Sequence, residues 1–471
     1  MLVNHAEQLL QTRRQFLSRT ATGIGSLALG SLLSPQSFGD QRDEIVQSAL
    51  RFAPKAKRVI YLYMAGGPSH LETFDYRPEL ARFDGKPMPK SFTDGEELAQ
   101  LQGADLFVLG PQVKFGKHGE SQQEISETLP HIAEIADDIC IIRSMKTEQI
   151  NHDPAHTFMN TGTSISGRPS MGAWLTYGLG SESENLPGFV VLSSNSSVVA
   201  QPISQRQWHS GFLPSKHQGV EFRSLGDPVL YIQNPDGVSS EVQRDVIDAV
   251  QALSKIRNDV VDEPEISARL SQYEMAFQMQ TSVPELADFS EEPEHIMEMY
   301  GTKGADGSFG ANCLMARRLA ERGVRFTQLY HRGWDHHGGI KTNIPKLSKT
   351  VDQACAALIK DLKQRGMLDE TLVIWGGEFG RTPMAQGSGR DHHINGFSMW
   401  LAGGGIKGGI THGSTDDFGY NAVEDVVHVH DLHATVLRLF GLDHEKLVYR
   451  YQGRDFRLTD VHGKVVENII A

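Results

Sequence analysis

Short apolar runs alternate with amphipathic stretches along this chain. Arg58–Met64, Asp138–Ser144, Val324–Tyr330, Thr371–Trp375 and the run opening at Trp400 are rich in β-branched and aromatic residues. Each closes on glycine or a polar cluster, the pattern of strands buried on both faces of a parallel sheet. Between them, Glu124–Ile135, Ser239–Ser254, Ile266–Gln280, Ser308–Arg322 and Val429–Leu439 carry apolar positions at helical spacing. Asp431 is placed to cap the last of these. Strands separated by helices predict an α/β fold with a mostly parallel central sheet. Residues 185–300 change character, with short strand-like pieces and then two helices, and read as an insertion or cap.

The polar clusters gain meaning from this pattern, because open α/β sheets bind ligands beyond the carboxyl ends of their strands. The run ending at Tyr330 leads into His331 and then Asp335-His336-His337. The run ending at Trp375 leads into Glu378, Arg381 and then Asp391-His392-His393. Imidazole with carboxylate is the ligand set of Zn, with Mn or Fe as alternatives, whereas Ca and Mg favour oxygen alone. The candidate ligands are therefore His331, Asp335, His336, Glu378, Asp391, His392 and His393, with Arg381 placed to stabilise developing charge. The first strand empties into a glycine pair and then His70 and Asp75, which read equally as ligands or as turn residues. In Asn151-His152-Asp153-Pro154-Ala155-His156, Pro154 suits the first turn of a helix. Helix N-termini bind anions, so His152, Asp153 and His156 are placed for a substrate oxyanion. His428, His430 and His433 could also ligate, His433 best of the three, but their position favours a structural role.

Charge narrows the partners. The net charge of −13 argues against nucleic acid, while a metal and a few arginines can still make a local site for an anion. Three cysteines without a CxxC pair predict buried thiols rather than a disulfide framework. Thr12-Arg13-Arg14-Gln15-Phe16-Leu17, followed by a glycine-broken apolar run, has the twin-arginine pattern. Residues 1–45 are therefore expected to be a signal segment and linker. The body, 46–471, is expected to be periplasmic or extracellular, with no membrane span of its own.

The motifs AGGPSHLETFD, NHDPAHTFMNTG, ARRLAERGVRF running into GWDHHGG, GGEFGRTP, GRDHH with LAGGGIKGG, and HDLHATVLRLFGLD stand in that order. Together they resemble the alkaline phosphatase and sulfatase superfamily, and within it an exported, sulfatase-like bacterial family of unknown function. The resemblance covers most of residues 45–471. It implies one three-layer α/β/α domain, metal ligands at strand ends, and hydrolysis of phosphate or sulfate esters of small molecules or polysaccharides. Glu378 falls where phosphatases place a ligand aspartate, and His392 or His393 near their last ligand histidine. His152 falls at the nucleophile position and His156 at the arginine of the sulfatase C/S-x-P-x-R motif, so His152 could be a ligand, a general base or a nucleophile. Gly66-Gly67 replace the sulfatases' paired aspartates. The expected function is a metal-dependent hydrolase of sulfate or phosphate esters. The alternative is a non-catalytic protein of the same fold that binds a sulfated or phosphorylated polysaccharide, favoured by the missing nucleophile motif.

Overall fold

Among the described residues, nine strands make one central sheet: β1 (Arg58–Ala65), β2 (Ile139–Lys146), β3 (Phe189–Ser193), β4 (Val220–Phe222), β5 (Phe326–Arg332), β6 (Thr371–Gly376), β7 (Phe397–Ala402), β8 (Ile410–His412) and β9 (Val427–His428). The computed structural model describes residues 44–96, 98–194, 203–230, 232–234, 237–261 and 264–471. The segment read as a twin-arginine signal therefore lies almost wholly outside the described residues. The strand order is β8-β2-β7-β6-β1-β5-β3-β4, with β9 paired to β2. Every pairing is parallel except the two made by β7.

Seven helices bear on the argument: α1 (His152–Thr161), α2 (Met171–Leu179), α3 (Ser240–Val261), α4 (Pro264–Ala287), α5 (Phe309–Glu321), α6 (Ile340–Gln364) and α7 (Val429–Leu439). Successive side chains of a strand point to opposite faces, so β1 feeds two cores. Ile60, Leu62 and Met64 pack in one core with residues of α5 and α6. Val59, Tyr61 and Tyr63 pack in the other with residues of α1, α2 and α7. Each such aliphatic side chain, fully buried, contributes about 2 kcal/mol of transfer free energy. A continuous apolar run is thus the sequence signature of a strand covered on both sides, and the result is an α/β/α arrangement.

Local chemistry sets the helix ends. Ser308 caps α5, its hydroxyl accepting the Ala311 N–H at 3.1 Å. The cap of α7 is His428 rather than Asp431. His428 accepts from the His430 N–H while Asp431 accepts the His428 N–H at 2.9 Å, a reciprocal capping box. The helix expected over Glu124–Ile135 is instead a hairpin, Phe115–His118 with Gln123–Ser126, followed by a short helix, Pro130–Glu134. Gly119 and Gln122 take φ of 70° and 57° in the connecting turn, and Pro130 can begin a helix but not continue one. In the region read as an insertion, α3 and α4 are tied by Arg244 to Glu274 at 2.8 Å. Cys140, Cys313 and Cys355 are free and buried. Among the described residues no helix is long and apolar enough to cross a membrane.

Candidate metal centre

The carboxyl ends of β1, β2, β5 and β6 open on one edge of the sheet, and their loops meet there. Gly66, after β1, has φ of 120°, and a Cβ on it would lie 2.5 Å from the Asp335 backbone N. Only glycine lets these two loops approach so closely. The Gly66 N–H in turn donates to both oxygens of Glu378, at 3.0 and 3.2 Å. Glu378 follows β6. Beyond it the chain forms a hairpin of Gly380–Gln386 with Gly389–His393.

Four side chains converge at this junction. His152 Nε2, His337 Nε2 and His392 Nε2 lie 3.3, 2.9 and 3.3 Å from Asp335 Oδ1. One donor atom from each of the four sits within 4.8 Å of all the others. The far nitrogen of every ring is held by an acceptor. His152 Nδ1 donates to Glu378 Oε1 at 2.6 Å, His392 Nδ1 to the Ile150 carbonyl at 2.7 Å, and His337 Nδ1 to Gln386 Oε1. A neutral imidazole that donates from Nδ1 has a bare lone pair at Nε2. Three such lone pairs therefore face one carboxylate oxygen, and two of them, on His337 and His392, face each other at 2.9 Å. Only a proton or a cation between them makes that arrangement favourable. Ligands about 2 Å from a tetrahedral zinc stand about 3.3 Å apart, which matches these separations. The acceptors behind each ring are the kind of outer partner that orients metal-bound histidines. The residues fit a divalent transition metal.

The electrostatics agree. Burial opposes charge on His152, but hydrogen bonds to Asp335 and Glu378, and their charges, outweigh it and lift its pKa to about 9. Burial likewise opposes charge on Asp335, yet His152, His337, His392 and the Arg381 guanidinium hold its carboxyl well below the usual range. Without a metal, the centre takes up a proton in its place.

A family model described as "Protein of unknown function (DUF1501)" matches residues 56–470. The chain belongs to this family. No curated protein matches it. Three solved structures illustrate what a DUF1501 chain is similar to. One is Ps i-CgsB in complex with k-i-k-neocarrahexaose, 9% identical, covering 82% of this chain and 72% of that one, with a TM-score of 0.35. Another is the PsFucS1 sulfatase from Pseudoalteromonas sp., 13% identical, covering 86% and 72%, with a TM-score of 0.32. The third is an alkaline phosphatase superfamily protein from Vibrio parahaemolyticus, 11% identical, covering 85% and 70%, with a TM-score of 0.34. At these scores the likenesses carry no weight of their own. The α/β assignment rests on the sheet order.

Of the residues singled out from the DUF1501 sequence, the structure brings Asp335, His392 and His152 together and adds one more. His152, for which the sequence leaves ligand, general base and nucleophile open, stands within the ligand cluster. His337 belongs there too and was passed over. Glu378 stands behind His152, holding its Nδ1. Arg381 is a correction. It is fully buried and donates to the Gly66, Gly67 and Arg390 carbonyls and, at 2.7 Å, to Asp335, so it ties the loops together and has no free edge for a substrate. His156 is also corrected. It is buried, 2.8 Å from the Tyr63 hydroxyl and 3.5 Å from Glu378, away from any exposed anion site. Asp153 is exposed and pairs with Arg206 at 3.0 Å.

The remaining expected ligands have other work. His70 donates to the Gly419 carbonyl at 2.8 Å, and Asp75 pairs with Arg77 at 2.7 Å and accepts from Thr415. His331 accepts from Trp334 Nε1 at 3.0 Å and faces the Thr350 hydroxyl at 3.1 Å, and burial pushes its pKa down to about 4. Asp391 accepts the backbone N–H groups of Gln100 and Leu101 at 2.7 and 2.8 Å. His393 donates to the Tyr420 carbonyl. His336 is buried with no hydrogen-bond partner on either nitrogen, and burial, then the Arg381 charge, pushes its pKa down to about 3. Strand alternation was the available signal in the second triplet. Asp391 and His393 share one face of their strand and His392 takes the other.

Proposed function

We propose that this chain is a metal-dependent hydrolase of phosphate or sulfate esters, exported by the twin-arginine route, with His152, Asp335, His337 and His392 as its metal ligands. The observation that carries the reading is the convergence of three anchored imidazole lone pairs on one carboxylate oxygen at the ligand-binding edge of the sheet. A divalent cation held there supplies a Lewis acid that polarises an ester oxygen. The chain's own residues supply the rest. Glu378 keeps the His152 proton on Nδ1. Arg381 fixes the loop that bears Asp335. Asp153, next in the chain after His152, forms an exposed ion pair with Arg206, whose guanidinium can exchange that carboxylate for an anionic ester. The three cysteines lie in β2, α5 and α6, outside the cluster, so no thiol attacks.

Protein purified without chelator is expected to hold stoichiometric Zn, Mn or Fe and to turn over members of an aryl sulfate, aryl phosphate and phosphodiester panel. Asp335→Asn and His337→Ala should lose both properties. Metal without any turnover would replace this reading with a binding protein for sulfated or phosphorylated polysaccharide. Full engagement of Arg381 by backbone carbonyls and Asp335 favours that second reading. A metal-free protein would sink both roles for the centre.

A further inference from the structure

We propose that Glu148, His428 and His430 form a second site for a divalent transition metal of the zinc class, separate from the centre built on Asp335. The site lies beyond the ends of β2 and β9. One donor atom from each side chain lies within 4.8 Å of the other two. His430 carries the decisive observation. It is only 3% exposed, and its Nε2 donates to the Gly162 carbonyl at 2.7 Å. The neutral ring therefore has a bare Nδ1, which is buried and has no hydrogen-bond partner. A buried lone pair without a partner is unfavourable, and this ring is grouped with a second imidazole and a carboxylate. His433 gives the contrast. It has the same orphaned Nδ1 and the same carbonyl-bound Nε2, on Met159 at 2.8 Å, but no ligand set of its own.

The surroundings suit an ion that enters from solvent. The Glu148 side chain is half exposed, with Oε1 3.4 Å from His428 Nε2. The His428 and His430 rings are 5.0 Å apart, and His462 stacks on His430 at 5.1 Å. Two imidazoles and one carboxylate select zinc, copper or nickel over calcium or magnesium. Binding also has a proton consequence. In the empty site His428 Nδ1 accepts the His430 N–H at 3.3 Å, so its proton lies on Nε2, towards Glu148. An ion at Nε2 moves that proton to Nδ1 and displaces this long cap bond. The Asp431 half of the capping box, at 2.9 Å, remains.

The test is a Zn2+ titration of the full chain by calorimetry, with four variants. Wild type is expected to bind two ions, and Asp335→Asn with His337→Asn one. Glu148→Gln, and separately His428→Asn, should lower the count in the wild-type background to one, or weaken the second ion by about tenfold or more. Asn is itself a good helix cap, so His428→Asn keeps α7 and should leave the metal-free melting temperature unchanged. A second ion unaffected by Glu148→Gln and His428→Asn overturns the proposal, as does wild type binding only one ion that Asp335→Asn abolishes. A single ion lost only in the Glu148 and His428 variants upholds this site and removes the first.

Discussion

The tripeptide Asp-His-His occurs twice on this edge of the sheet, and the two copies do different work. In the loop after β5, Asp335 and His337 enter the cluster while His336 turns into the core. In the hairpin strand Gly389–His393, only His392 enters. Asp391 anchors the backbone of Gln100 and Leu101, and His393 is bound to the Tyr420 carbonyl. Backbone conformation makes the difference. A strand must divide neighbours between two faces, whereas an irregular loop has no such rule. The rings also differ in what holds the nitrogen away from the cluster. In the Asp335 cluster each histidine has an acceptor on Nδ1 and a convergent Nε2. His393, beside His392 in sequence, spends that nitrogen on the Tyr420 carbonyl.

The largest contrast is expected between the two aspartates. Asp335→Asn should weaken Zn2+ by more than about 100-fold, since even outer-shell partners are worth 10- to 100-fold, while Asp391→Asn should leave metal content unchanged by elemental analysis. The two histidines of the first triplet should separate almost as widely. His337→Ala should lose the metal. His336→Leu should keep it and should not lower the melting temperature, because the ring it replaces makes no hydrogen bond. Metal loss in His336→Leu with retention in His337→Ala would reverse the assignment.

Next in size is the partner behind the cluster. Glu378→Gln removes the charge that holds His152 Nδ1 and should weaken Zn2+ by about 10- to 100-fold, measured by competition with a chelator. The pH dependence is gentler. With the His152 pKa lifted to about 9 in the metal-free protein, a metal must displace a proton at lower pH. Zn2+ affinity should fall about tenfold per unit below that value, and a pH-independent affinity between pH 7 and 9 would remove His152 from the ligand set. The smallest effect concerns stability alone. Asp391→Ala strands the buried Leu101 N–H and should cost about 1–3 kcal/mol in urea unfolding with the metal retained.

Much of this was legible in the chain. Continuous apolar runs such as Arg58–Ala65 predict strands covered on both faces, and their polar sequels mark the edge where a site belongs. The helix misread over Glu124–Ile135 shows the limit, because an apolar spacing that suits a helix also suits a hairpin once glycine and proline set the turns. In the site, Asp335 and His392 were legible from residue type beside a strand end. His152 was legible only as one of three roles, and His337 and the full engagement of Arg381 by backbone carbonyls and Asp335 were not legible.

The sequence by itself determined the fold class, the edge of the sheet that carries chemistry and the residue types available there, because periodicity and composition are local properties. Only the tertiary structure decided which imidazoles are ligands. That choice depends on the acceptor behind each ring, and those acceptors, Glu378 for His152, Ile150 for His392 and Gln386 for His337, are 226, 242 and 49 residues away along the chain.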